Sequence, residues 1–202
     1  MTSSGKQYSF LTDLDLLLQS AQQGNIDAQA TLAMMYDHGH RFSQNSTEAA
    51  RWYRKAASQG DALSQYTLAE MYLDGRGLTP NVEKAVYWLR KAARNRLPIA
   101  CYLLGYLLHM QKKGSARKEA WKWIVKAAES GMAQANIFLG DLFAKGDGVD
   151  ADKDKAMHHY RIAAEQAYAE MAETAKYAQY GTLSHSGAQL TSHAISSMGS
   201  SV

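Results

Sequence analysis

The sequence predicts an all-α solenoid of four stacked helix pairs, and three observations predict it. The first is a repeat of about 36 residues: Ala21-Gln-Gln-Gly24 returns as Ala57-Ser-Gln-Gly60, as Ala93-Arg-Asn-Arg96, as Ala128-Glu-Ser-Gly131 and as Ala164-Glu-Gln-Ala167. The second is that several columns share this register. Leu32, Leu68, Leu104 and Leu139 align, as do Tyr36, Tyr72, Leu108 and Phe143, and Trp52, Trp88 and Trp123 with His159 in the fourth place. The third is composition: 46% of the 202 residues are apolar and only two are proline, which leaves helices unbroken. Recurrence at one period marks units that cannot bury their apolar face alone and must stack.

Within the first unit, Ala28, Leu32, Met35 and Tyr36 fall on one helix face, and Gly39 stops that helix. Asn45 stands four residues before Ala49, placed to cap a second helix, and Asn81 and Asp152 hold the same place before Ala85 and Ala156. The second helix buries Ala49, Trp52, Tyr53 and Ala56 and ends at Gly60, suited to a left-handed turn. Two places depart from the pattern. The third unit is a loop residue short and carries Arg96 in the glycine place, with Pro98 forcing the break. After the fourth unit Ala167 replaces the glycine, so the turn there is weakened and RIAAEQAYAEMAETAKYAQYG can run partly continuous. The chain thus divides into an N-terminal segment with a covering helix (1–20), four repeats (21–166), a C-terminal covering helix (167–180) and a serine-rich tail without Lys, Arg, Asp or Glu (181–202), expected to be disordered.

The net charge of +3 does not call for nucleic acid or an acidic membrane. No run of about 18 apolar residues exists, so no membrane insertion is expected. Asp13 and Asp15 interrupt the first apolar stretch, which does not read as a secretory signal, and a cytoplasmic location is expected; a periplasmic one follows if a leader has been removed. The single Cys101 allows no internal disulfide.

The units resemble the Sel-one-like repeats, relatives of the tetratricopeptide repeats. In the second unit Ala57, Gly60, Gln65, Leu68, Tyr72, Gly75, Gly77, Lys84, Ala85, Trp88, Lys91, Ala92 and Ala93 carry the family's pattern. In the fourth, Gly131, Leu139, Gly140, Gly146, Gly148, Val149, Asp152, Lys155 and Ala156 do so. The resemblance implies a right-handed α/α superhelical solenoid of about four helix pairs, with terminal covering helices and a concave face that binds protein partners. It implies no reaction. Carrying the tetratricopeptide register over, the first helices line that groove with Asp27, Met34, Asp37, Tyr66, Glu70, Asp74, Tyr102, Tyr106, His109, Asp141, Glu173 and Tyr177. Among these, Tyr66, Tyr102 and Tyr106 are expected to be exposed. First-helix segments hold eight acids and two bases, whereas second-helix segments hold fourteen bases and seven acids, so a near-neutral chain has an acidic side and a basic back. That contrast, with tyrosine and methionine among the carboxylates, points to a basic or amphipathic protein or peptide partner.

The expected function is therefore a non-catalytic adaptor or scaffold. A neutraliser of one bacterial toxin or effector and a regulator of the cell envelope or of secretion are narrower alternatives. No catalytic residue, metal site or cofactor is expected. The aspartates of GDGVDADKDKA lack calcium-loop spacing, and its glycines follow no strand. Adjacent His158 and His159 diverge on a helix, His38-Gly-His40 offers no further ligand, and Cys101 has no base near it in sequence. The basic back shares its helices with seven acids at salt-bridging spacings, so no nucleic acid partner is expected. The tryptophan column reads as packing between units. Trp88→Ala is expected to destabilise the array by roughly 3–5 kcal/mol, the usual cost of emptying a core aromatic site, checked by chemical denaturation; wild-type-like unfolding would remove Trp88 from the core.

Overall fold

The computed structural model describes residues 13–111 and 114–179, with the side chains of 175–179 left aside. Among these residues the chain forms helices and no strand: α1 (Asp13–Gln22), α2 (Ile26–His38), α3 (Ser46–Ser58), α4 (Ala62–Asp74), α5 (Val82–Arg94), α6 (Pro98–Met110), α7 (Gly114–Glu129), α8 (Ala133–Lys145) and α9 (Lys153–Gln179). Each packs on its neighbour in sequence, α2 on α3 and α4 on α5, with α3 on α4 and α5 on α6 joining one pair to the next. The result is a right-handed solenoid of helix pairs.

Side-chain chemistry sets the helix ends. Asn25, Asp61, Asn45, Asn81 and Asp152 each accept a hydrogen bond from the backbone N–H three residues on, at 2.8–3.1 Å. Gly39, Gly75 and Gly146 close α2, α4 and α8 in the left-handed conformation. Gly77 serves differently. A Cβ there would lie 2.3 Å from the Ser46 carbonyl, so the second loop glycine lets this loop lie against the start of α3.

The core runs along the stack. Leu32, Leu68 and Leu104 are wholly buried and Leu139 nearly so. Beside them Ala33, Ala69, Gly105 and Gly140 keep the helices close; a Cβ on Gly105 would meet Ile124 at 2.6 Å, and one on Gly140 the Tyr160 ring at 2.5 Å. Trp88 is buried, while Trp52 and Trp123 are half-buried against the same core. Their outer faces are covered by lysine: Lys55 lies 3.7 Å from the Trp52 ring centre, Lys91 5.0 Å from Trp88 and Lys126 4.6 Å from Trp123. His159 takes the fourth place, stacked on Phe143 at 5.6 Å and bonded through Nδ1 to Asn136.

Buried amides join successive units. Gln29 Nε2 donates to the Ala21 carbonyl and Gln65 Nε2 to the Ala57 carbonyl, both at 3.0 Å. Gln59 then donates to Gln29 at 2.8 Å and Asn95 to Gln65 at 3.2 Å, and Asn136 and Gln166 form the corresponding pair at 3.1 Å. In the third unit Cys101 occupies the glutamine place and reaches the Ala93 carbonyl at 3.7 Å, a weaker thiol contact.

At the N-terminal end, α1 packs on α2, with Leu17 and Leu18 over Ala21, Ala28 and Leu32. The C-terminal end departs from the sequence expectation. The separate covering helix over 167–180 is instead a continuation of α9, which passes through Ala167 without a break, and residues 167–174 are exposed. At the equivalent turns Gly24, Gly60, Arg96 and Gly131 all have positive φ. Alanine disfavours that conformation and extends a helix readily, so nothing ends α9 there. Residues 181–202 lie outside the described part. Arg96 shows the opposite outcome: Pro98 keeps Leu97 extended, and Arg96 takes φ 62°. Arg96→Gly is therefore expected to stabilise the protein by about 0.5–1 kcal/mol, the left-handed strain relieved less the added freedom of the unfolded chain. Paired denaturation curves check this, and a less stable variant would refute it.

Candidate functional site

The first helices of successive units meet through contacts that cross from one unit to the next. Arg76, in the loop after α4, pairs with Asp37 at the end of α2. Tyr102 of α6 lies edge-on to Phe138 of α8, with ring centres 6.3 Å apart. His109 Nε2 and Asp147 Oδ2, in the loop after α8, are 2.9 Å apart, and Arg117 reaches Asp147 at the same distance. The first unit is thereby joined to the second, and the third to the fourth, on the first-helix side.

In the first two units this face is governed by carboxylates. Asp37 is 5% exposed; one oxygen takes the Arg76 guanidinium, and the other, Oδ1, is buried without a hydrogen-bond partner among the described residues. Glu70 is half-buried and accepts from the Tyr66 hydroxyl at 2.5 Å. Burial raises the Glu70 carboxyl above its ordinary value, with Asp74 and Asp37 adding to the rise against the pull of Tyr66 and Arg76. Burial also lifts the Tyr66 phenol far above its usual range, and the Glu70 charge lifts it further. Asp74 stands exposed at the end of α4, within electrostatic reach of both. Three carboxylates therefore share one guanidinium.

In the third and fourth units aromatic rings take over. Tyr102 and Tyr106 lie 6.4 Å apart, and Tyr106 and His109 approach the Phe138 ring at 5.7 and 5.4 Å. Both tyrosines and Phe138 are half-buried, and Met110 and Ile137 are about half exposed nearby on α6 and α8. Asp141 is the acid here, accepting from Tyr160 at 2.7 Å and facing Lys145 at 3.6 Å.

Several residues chosen from the sequence thus have internal partners. Tyr66 is 3% exposed rather than open to solvent, because its ring packs into the core while its hydroxyl turns to Glu70. Tyr102 and Tyr106 are half-buried rather than fully exposed, since they pack on Phe138. Asp37 and His109 are buried where the loops of the following unit meet them, Asp37 through Arg76 and His109 through Asp147. Asp27, Met34 and Asp74 are exposed, and Glu173 is exposed on the continuation of α9. The Tyr177 side chain lies outside the described residues. Sequence reasoning missed Phe138, which stands one place from the chosen register, and Arg76, whose loop position gave no hint of a buried partner.

The second-helix side is basic but internally occupied. Arg51 pairs with Glu48 at 2.7 Å, Arg90 with Glu119 at 2.8 Å and Lys155 with Asp152 at 3.1 Å, in addition to the lysines over the tryptophans. Among the described residues no group of three His, Cys, Asp or Glu side chains is arranged to hold a metal ion, and no helix is long and apolar enough to cross a membrane. Cys101 is buried, and burial raises its thiol.

Because the folded Glu70 carboxyl holds its proton more tightly than the unfolded one, its contribution to stability is present below the ordinary value of 4.5 and is lost as pH rises through the folded value. At neutral pH the ionised group costs stability. Glu70→Gln keeps an acceptor for Tyr66 without the charge. It is expected to melt above the wild type at pH 7, with the difference shrinking on acidification, read by thermal melts across pH; an unchanged or lower melting point at pH 7 would contradict the burial argument.

The Sel1 repeat family model matches residues 26–61, 62–96, 98–132 and 133–168, one helix pair each. Among solved structures, a protective antigen of uropathogenic Escherichia coli strains displaying the SLR fold aligns with 36% identity and a TM-score of 0.71, over 77% of this chain and 33% of that one. A Sel1 repeat protein from Oxalobacter formigenes aligns with 34% identity and a TM-score of 0.70, over 78% and 65%. This chain thus spans about a third of the first protein and just under two thirds of the second. An immunity protein from Pseudomonas aeruginosa aligns at 21% identity and a TM-score of 0.48, over 76% and 57%, a likeness too loose to bear on partners. No curated protein matches. Sel1 repeats are typically non-catalytic scaffolds that mediate protein–protein interaction. With four matched repeats over most of its described length, the chain belongs to the Sel1 repeat family.

Proposed function

We propose that this protein is a non-catalytic adaptor that holds a segment of a partner protein on the face made by its first helices. The observation that carries this reading is the carboxylate excess there: Asp37, Glu70 and Asp74 share Arg76, and Glu70 carries its charge in a setting that opposes it. A cation supplied by a partner relieves that opposition, so the bound state recovers energy that the free protein lacks. The partner is accordingly a basic or amphipathic protein segment. Rigidity favours the same function. Face residues are anchored on helices by the leucine and alanine core, so little freedom is lost on docking. The exposed Met34, Asp74 and Met110 and the half-buried Tyr102 and Tyr106 supply the contact surface.

Asp74→Lys combined with Tyr106→Ala is expected to leave helix content unchanged, because Asp74 is exposed and Tyr106 only half-buried. It is expected to abolish capture of the partner from source lysate, read by mass spectrometry against the wild type. The same protein retained by both baits would place the binding surface elsewhere.

A further inference from the structure

The first-helix face is not uniform along the stack. In the first two units it carries Asp27, Asp37, Glu70 and Asp74, with Tyr66 turned into the core. The third-unit helix α6, PIACYLLGYLLHM, contains no Asp, Glu, Lys or Arg, and its Tyr102 and Tyr106 join Phe138 of α8 in one aromatic patch. Asp141, the carboxylate beside that patch, is already engaged by Tyr160 and Lys145. Under-neutralised carboxylates therefore gather in the first half, where Met34 and Leu63 are also exposed, and clustered aromatic surface in the second.

We propose that the face recognises a bipartite segment, with arginine or lysine at one end and a bulky apolar residue at the other. This inference rests on the adaptor reading and deepens it. The basic anchor meets Glu70 and Asp74 beside the buried Asp37–Arg76 pair, whose Asp37 Oδ1 has no hydrogen-bond partner among the described residues. The apolar anchor packs on Tyr106 and Phe138. Neighbouring helices lie about 10 Å apart, so the Glu70 and Asp74 carboxylates of α4 and the α6–α8 patch are separated by roughly 15 Å. An extended chain covers that distance in about four to five residues. Charge drives the first contact and fades with salt, whereas burial of the apolar anchor does not.

The test uses fluorescence anisotropy with labelled twelve-residue Gly/Ser peptides. One carries Arg-Arg near its start and Trp-Leu about five residues later, one is its reverse, and two carry a single anchor. The better bipartite peptide is expected to bind at least about tenfold tighter than either single-anchor peptide, since a correctly spaced second anchor adds its contact without a second association cost. Glu70→Gln with Asp74→Asn is expected to remove most of the salt dependence and the advantage of Arg-Arg. Phe138→Ala is expected to remove the advantage of Trp-Leu and leave the salt dependence in place. Should Phe138→Ala fail to fold by circular dichroism, Tyr106→Ser replaces it. A bipartite peptide that binds no tighter than either single-anchor peptide, no binding by any peptide, or loss of salt dependence in the aromatic variant overturns the bipartite arrangement. The assignment of partner binding to the first-helix face falls separately, if the Asp74→Lys, Tyr106→Ala bait still captures the partner.

Discussion

The array depends on how each helix pair satisfies the carbonyls left at the end of the pair before it. A helix terminus leaves its last carbonyls without intrahelical partners, and in a stacked protein those carbonyls are buried between units. Gln29 and Gln65 answer the Ala21 and Ala57 carbonyls, and their other amide atoms are matched by Gln59 and Asn95 from the same stack. This polar rung lies against wholly buried Leu32 and Leu68, so position along the stack is set by directional bonds and by packing together. Alanine beside the rung permits the close approach that the bonds require. Where Cys101 stands in for glutamine, the rung is weaker and the surrounding helix more apolar, as though packing compensates there.

With the repeats held in register, residues that differ between units acquire their roles. Asp37 is 39 residues from Arg76 in sequence, yet the stack places the loop of one unit over the end of the first helix in the preceding unit. His109 and Asp147 repeat that relation two units later with different chemistry. The same geometry that builds the scaffold thus consumes some side chains and leaves others facing outward. Glu70 lies between the two cases: it has an internal hydrogen bond but too little opposing charge.

The two ends of the stack contrast for a local reason. α1 closes the first unit with leucines, and its turn at Gly24 redirects the chain. After the fourth unit the glycine is missing, and α9 runs on to Gln179. Arg96 shows that a non-glycine residue can accept the left-handed turn when a following proline bars the helix, and Ala167 has no such neighbour.

The sequence by itself determined the helix pairs, their boundaries, the cap residues and the leucine and alanine core, because these depend on local periodicity and on chemistry within a few residues. It also disclosed the separation of acids from bases between the two helix sets. It did not disclose that Tyr66 is buried, that Asp37 and His109 are held by loops from the following unit, or that Phe138 joins the tyrosines. Those outcomes depend on the rotation between stacked units, which decides whether a side chain on the edge of a helix face meets solvent or a neighbour, and a shift of one residue around a helix turns it by about 100°. Tertiary structure alone decided which carboxylates are spent inside the protein and which remain exposed.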